Sequence, residues 1–194
     1  MRIVLASSSP SRKMLLENAG VTPIIQPAHV DEDAIQAQMQ GAEPRDVVKA
    51  LAQAKAHAVS FPNDVVIGCD SMLLLDGDLQ GKPHTVEETI RRWQAQRGKT
   101  AELITGHCII TPAGECVEAV STKVHFAMVS DTDIAAYARS GEPLHCAGAF
   151  TLEALGSWFI DAIEGDPSSV IGLSMPLVRK ALYSFGYDAS AFWG

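Results

Sequence analysis

The sequence is short of positive charge. Against 23 Asp and Glu it carries 15 Lys and Arg, a formal net charge of -8 at pH 7, with a pI near 5.1. That balance argues against an electrostatic grip on a DNA or RNA polymer, although an acidic chain can still bind a small anion where its few cations are focused. The four cysteines, Cys69, Cys108, Cys116 and Cys146, form no C-x-x-C pair, and no secretory leader is expected before them. Neither a disulfide framework nor a zinc ribbon is therefore expected, and a reducing cytoplasm fits. No apolar run approaches the roughly 18 residues that span a bilayer, so no membrane association is expected. GxxxxGK[ST] is missing, which excludes a P-loop NTPase, and no Gly-x-Ser-x-Gly surrounds Ser7 to Ser9. Met72 stands where an aspartyl-phosphate phosphatase would need a second aspartate after Asp70. Internal repeats and low-complexity segments are lacking too. What is present is an ordinary globular composition, 47% hydrophobic and 20% charged over 194 residues, ample for one large domain or two lobes sharing a sheet.

The organising stretch is Val65 to Pro83, VVIGCDSMLLLDGDLQGKP. Val65 to Cys69 is short and free of polar residues, as a strand covered on both faces would be, and Asp70 follows where that strand is expected to emerge. In open α/β sheets ligands bind beyond the carboxyl ends of strands, which places Asp70 to meet substrate or metal. Asp76-Gly77 favours a type I′ hairpin that would fold Gly81-Lys82 back toward Asp70. An acid and a base brought together in this way suit phosphate chemistry. The plain alternative is that Asp70 caps a loop and Lys82 is a solvated turn residue.

Upstream, Arg2 to Ala6 reads as a buried strand, and Ser7-Ser8-Ser9-Pro10 switches the chain into a helix with serine as N-cap and proline at its first position. A strand running into a helix N-terminus presents free N–H groups and a positive dipole end, an anion site with Arg12 and Lys13 in its first turn. Val21 to Gln26 is expected as a second strand, followed by a polar loop at Val30 to Asp33. Its acids are either helix-capping or the source of a second carboxylate for magnesium. Pro44 to Val59 has the pattern of a helix, and Lys55 shares the inward stripe of Val48 and Leu51. A lysine on a buried face needs a partner or must reach out to water, whereas Lys49 lies off the stripe.

Thr85 to Glu88 has capping-box spacing and opens a helix that Gly98 ends. Thr100 to Ile110 and Cys116 to Met128 read as paired strands, and Ser130 caps a helix through Ser140. Leu144 to Phe150 reads as extended and rich in small residues, as where backbone passes close to a ligand. On an extended chain His145 and Cys146 point to opposite faces, which disfavours a Cys/His nucleophile. Trp158 is expected in the core, with an aromatic face toward a ligand as the alternative. Pro176 to Tyr183 is the last helix, and Gly186 to Gly194 carries no readable pattern.

Taken together, these segments resemble the Maf family of nucleotide pyrophosphatases over nearly the whole chain. The carrying pieces are Ala6-Ser7-Ser8-Ser9-Pro10-Ser11-Arg12-Lys13, Val30-Asp31-Glu32, Leu51-Ala52 with Lys55-Ala56, Asp70, Gly81-Lys82-Pro83, Thr105-Gly106, Ala147-Gly148-Ala149-Phe150, and Gly165-Asp166 before Ile171-Gly172-Leu173. The resemblance implies a single domain over residues 1–194 with an α/β fold of two lobes. An elongated mixed sheet flanked by helices, similar to the inosine triphosphate pyrophosphatases, and a cleft between the lobes would complete it. It also implies a metal-dependent split of a nucleoside triphosphate into monophosphate and pyrophosphate, commonly by a homodimer. Leu152-Glu153-Ala154 and Leu144-His145-Cys146 look like the branch that hydrolyses 7-methyl-GTP, not the dTTP and UTP branch. Lys13, Ala154 and Ser174 depart from the usual family residues.

On this reading a divalent cation, Mg²⁺ or Mn²⁺, is held by Glu32 and Asp70. Arg12, Lys55 and Lys82 hold the phosphates and stabilise the leaving pyrophosphate. Ser7, Ser9 and Lys13 add phosphate contacts, and Glu153 meets the base. Asp70 has two open roles, metal ligand or general base. The competing classes are a non-catalytic nucleotide-binding regulator of cell division, which needs only phosphate binding, and a scaffold, which needs no inward-facing lysine.

Overall fold

The computed structural model describes residues 1–194. In chain order the elements are β1 (Ile3–Leu5), α1 (Pro10–Asn18), β2 (Ile24–Ile25), α2 (Glu32–Gln38), α3 (Pro44–His57), β3 (Val65–Leu75), β4 (Asp78–Gln80), α4 (Val86–Gln96), β5 (Thr100–Thr111), β6 (Gly114–Phe126), α5 (Asp131–Arg139), β7 (Ile160–Glu164), α6 (Pro167–Ile171) and α7 (Met175–Ser184). The seven strands form one mixed sheet in the order β2-β1-β3-β5-β6-β7, with β4 on β3. β1 is parallel to β2 and β3, whereas β4 and β7 run antiparallel to β3 and β6. The fold is thus the α/β arrangement with a mixed sheet flanked by helices that the sequence led one to expect. No helix is long and apolar enough to cross a membrane.

The chain divides into two compact units, the first comprising Met1–Asp70, Thr105–Val120 and Gly172–Gly194, the second Ser71–Ile104 and Ser121–Ile171. In the first, strand residues alternate between two apolar layers. Ile3, Leu5, Val65, Ile67, Cys69 and Ile109 pack with Leu16 of α1 and Val178, Ala181 and Leu182 of α7. Val4, Ala6, Val66 and Cys108 pack with Ala52 and Ala56 of α3. β1 and the start of β3, Val65–Cys69, carry no polar side chain because both of their faces are covered.

The second unit is built on Trp93 of α4, fully buried, whose indole meets Phe126, Tyr137 and Phe159 edge to face with ring centroids 5.4, 5.8 and 5.6 Å away. Edge-to-face pairs of this kind each add about 0.5–1.5 kcal/mol beyond burial. The Trp93 N–H donates to the Ala149 carbonyl at 2.7 Å.

The structure departs from the sequence reading in several places. β3 does not end before Asp70 but runs on to Leu75. Its pairing with β1 stops at Ile67, the partner of Leu5, so Asp70 lies past the end of its parallel neighbour while still within its own strand. β2 shrinks to Ile24–Ile25. Leu144 to Phe150 is not extended but forms 3₁₀ turns over Glu142–His145 and Ala147–Ala149. Gly148 and Ala149 have φ of 70° and 59°, and the carbonyl of Gly148 is taken by the Gln96 side chain at 3.2 Å. Side chains of α4 thus satisfy backbone that a strand neighbour would otherwise pair. Trp158 is not in the core but 82% exposed. The tail forms a 3₁₀ turn at Ala189–Phe192.

Other local signals hold. Asp76 and Gly77 both have positive φ, 51° and 90°, as a type I′ turn requires, and Leu75 pairs with Asp78 across it. Gly81 then comes to lie against Met72. The Thr85 hydroxyl caps α4 through the Glu88 N–H. Glu88 does not return the bond, because its carboxylate is taken by Arg91 and Arg92. Ser174 caps α7 by accepting from the Leu177 N–H, which gives a structural reason for serine at that place.

Candidate active site around Lys55, Asp70 and Arg12

Asp70 and Lys55 meet because α3 lies unusually close to the sheet. On the α3 face of β3 the residues are Val66, Gly68 and Asp70, alternating with the Val65, Ile67 and Cys69 face. A Cβ on Gly68 would stand 2.3 Å from the Ala52 carbonyl oxygen and 2.7 Å from the Ala56 N, and one on Gly106 would stand 2.2 Å from the Val48 oxygen. Glycine at both positions lets the helix backbone rest on the strands. Lys55, flanked by Ala52 and Ala56 on that helix face, is thereby held within reach of Asp70.

The lysine is only 7% exposed and Asp70 8%. The Lys55 ammonium donates to Asp70 Oδ1 at 2.6 Å and lies 3.0 Å from Glu32 Oε1. A buried lysine is here paired twice, as burial of its charge demands. The acidic trio divides between two jobs, and the capping one is filled by a single residue. Asp31 caps α2 through the Ala34 N–H at 2.9 Å, while Glu32, one residue on, reaches the lysine.

The α1 turn makes a second cluster. The Ser9 hydroxyl accepts from the Arg12 N–H at 3.4 Å. The Ser7 hydroxyl accepts from the Ser9 N–H at 3.2 Å and from Arg12 Nη1 at 3.1 Å. Arg12 Nε donates to the Gly172 carbonyl at 2.7 Å. Gly172 has φ of 127°, and a Cβ there would crowd Arg12 Nε at 3.1 Å. Pro10 has no N–H and that of Arg12 is capped, so of the first-turn donors the Ser11 N–H remains for an anion. Burial pushes the Cys69 thiol up to about 11, Arg12 and Lys55 pull it down, and Asp70 raises it. Both cations therefore act on the residue next to Asp70. Lys13 does not join this cluster; it is exposed and pairs with Glu17 at 3.4 Å.

Lys82 and Glu153 belong to the second unit. Lys82 is exposed after β4, and Glu153 is half-buried and accepts from the Leu152 N–H at 3.0 Å. The residue that shapes this segment is one the sequence reading did not single out. Glu142 accepts from the Tyr137 hydroxyl at 3.1 Å, the Gly156 N–H at 3.0 Å and the Leu155 N–H at 3.1 Å, and also from the Thr151 hydroxyl. Burial works to raise this carboxyl, but the hydrogen bonds from Thr151, Gly156, Leu155 and Tyr137 outweigh it and hold it below the usual range. The Cys146 thiol is pushed up to about 11 by burial, then by Glu153 and Glu142. It is a poor nucleophile at neutral pH, which agrees with the sequence reading although its extended-chain premise does not hold.

Two carboxylates, one buried on Asp70 and one on Glu32 with its side chain 40% exposed, meet at the Lys55 ammonium and together outweigh its charge, a donor set that fits a hard divalent cation. Mg²⁺ typically takes one or two protein carboxylates and completes its shell with water and substrate phosphate. The family model for "Maf-like protein" matches residues 2–185. The chain is 71% identical to a nucleoside triphosphate pyrophosphatase of Corynebacterium efficiens, covering 100% of this chain and 99% of that protein. It is 67% identical to one of Corynebacterium diphtheriae, covering 100% and 98%. It is 51% identical to one of Thermosynechococcus vestitus, covering 95% and 93%. Matches of this length and identity leave no part of the fold outside the comparison, and the chain belongs to the Maf family.

Proposed function

We propose that this chain, a nucleoside triphosphate pyrophosphatase, takes guanine-type triphosphates, 7-methyl-GTP among them, and cleaves the anhydride between the α and β phosphates. The observation that carries the reading is the buried Lys55 shared by Asp70 and Glu32. A lysine ammonium has three donors; two are engaged by the carboxylates and the third is free to meet a phosphate oxygen. Arg12, fixed by Ser7 and Gly172, presents a second cation from α1. Lys82 is proposed to add a third phosphate contact. Asp70 and Glu32 are proposed to hold the divalent cation that such enzymes generally need, and that cation would offset charge on the phosphates. In the alternative role Asp70 is the base: it takes the proton of the attacking water as the water oxygen bonds to the α phosphorus and the bond from that phosphorus to the α–β bridging oxygen breaks, pyrophosphate leaving with the electron pair. Holding the leaving pyrophosphate with fixed cations lowers the barrier by preorganisation.

Glu153 is proposed to select the base. A carboxylate only accepts hydrogen bonds, and guanine offers two donors on its Watson–Crick edge. Methylation at N7 makes the base cationic, favouring a negative neighbour and an aromatic face. Trp158, exposed and on the same chain segment, supports that reading. Pyrophosphate release measured in parallel on GTP, 7-methyl-GTP, UTP and dTTP tests it. The guanine pair should show the higher kcat/KM, with the preference reduced by Glu153→Gln; a pyrimidine preference in the wild type overturns it.

A further inference from the structure

A second group of metal-ligating side chains lies in the first unit, at the C-terminal end of α3. His57 ends the helix, Cys108 is on β5 and Glu115 is at the start of β6. His57 Nε2 lies 3.1 Å from Glu115 Oε1, and the Cys108 thiol donates to the same oxygen at 3.1 Å. The imidazole nitrogen, the sulfur and a carboxylate oxygen all fall within 4.8 Å of one another. Ligands on one tetrahedral zinc ion, with bonds of about 2.0–2.3 Å, stand roughly 3.5 Å apart, so modest side-chain rotation closes the set.

We propose that His57, Cys108 and Glu115 form a site for a thiophilic divalent cation of the zinc type. A neutral imidazole, a thiolate and a carboxylate supply two negative charges, which neutralise such an ion, and a nitrogen–sulfur–oxygen set selects zinc or cobalt over magnesium. Binding expels the thiol proton that now goes to Glu115, so one proton leaves to solvent per ion bound. Gln53, one turn before His57 on α3, donates to Glu115 Oε1 at 3.0 Å and supports the carboxylate from outside the ligand set. The Cys108 side chain is buried, whereas those of His57 and Glu115 are 56% and 31% exposed, so the site opens to water and retains a fourth position. Cys116 is excluded as a ligand because it packs on the other sheet face, with the α1 and α7 core. An ion here would tie the C-terminal turn of α3, the helix that carries Lys55, to the β5–β6 hairpin.

The test is titration of the metal-free full-length protein with Co²⁺. The expected result is one equivalent giving a thiolate-to-cobalt charge-transfer band, displaced by Zn²⁺ but not by excess Mg²⁺, with Zn²⁺ raising the Tm. The band reports sulfur ligation, so a cation bound by Asp70 and Glu32 alone cannot produce it. Cys108→Ser and His57→Asn should each abolish the band and the Tm rise, and Gln53→Leu should weaken affinity about 10–100-fold. Should Cys108→Ser fail to fold, the half-exposed His57 variant decides. Absence of a thiolate band in the wild type, or a band that survives His57→Asn, overturns the proposal.

Discussion

The Lys55 ammonium lies 2.6 Å from Asp70 Oδ1 on β3, and the same ammonium reaches Glu32 Oε1 on α2. These three side chains therefore behave as a unit. Lys55→Ala leaves a buried carboxylate without its partner, and removing one member of a buried pair costs about 3–5 kcal/mol. The expected outcome is a fall in both Tm and kcat/KM. Urea unfolding alongside nucleotide hydrolysis checks it; unchanged stability would return Lys55 to an ordinary surface role.

Gly68→Ala tests how the unit is assembled. The added Cβ would lie 2.3 Å from the Ala52 carbonyl oxygen, a clash with backbone that cannot turn aside, so α3 must lift from β3. Overpacking of this sort costs about 1–3 kcal/mol, and activity should fall further than stability because Lys55 is carried away from Asp70. Enzyme kinetics on the purified variant, with circular dichroism to confirm folding, measures both.

Glu142→Ala removes the acceptor for Tyr137, Thr151, Leu155 and Gly156. Donors left partly buried and unpaired cost about 1–3 kcal/mol each. We expect a Tm loss and a raised KM, since the 151–156 segment carries Glu153. Nucleotide KM and thermal melts on Glu142→Ala and Glu142→Gln decide it, the amide retaining part of the acceptor function.

Acid stability has an assignable contribution. Hydrogen bonds from Arg91, then Arg92, hold the Glu88 carboxyl down at about 2 against its ordinary 4.5. A depressed carboxyl adds stability that is complete above its unfolded value and is lost as pH falls through its folded one. Between about pH 4.5 and 2 the wild type should therefore lose stability more steeply than Glu88→Gln. Chemical unfolding across that window makes the comparison.

Much of this was legible in residues. Ser9-Pro10, the inward place of Lys55 on α3 and the Asp76-Gly77 turn each carry a local signal whose physics acts within a few positions. The Asp70–Lys55–Glu32 grouping was reachable as chemistry. Its geometry was not, because it depends on α3 resting on Gly68 and Gly106, a contact between segments far apart in sequence. The same limit hid Glu142, whose partners at 151–156 lie across a loop. It also misread Leu144 to Phe150, where Trp93 and Gln96 from another element satisfy the carbonyls. Trp158 was taken for core because large aromatics usually are, and only the packing of Phe159 beneath the Trp93 cluster leaves its neighbour outside.

The most direct test of the account is Asp70→Asn, assayed for pyrophosphate release from a nucleoside triphosphate with a divalent cation present. The amide keeps the shape of the side chain but neither accepts a proton nor holds a metal well. The account predicts a folded protein whose turnover falls by on the order of 10²–10⁴-fold, with the residual product still intact pyrophosphate. Near-wild-type turnover by a folded Asp70→Asn protein would contradict it.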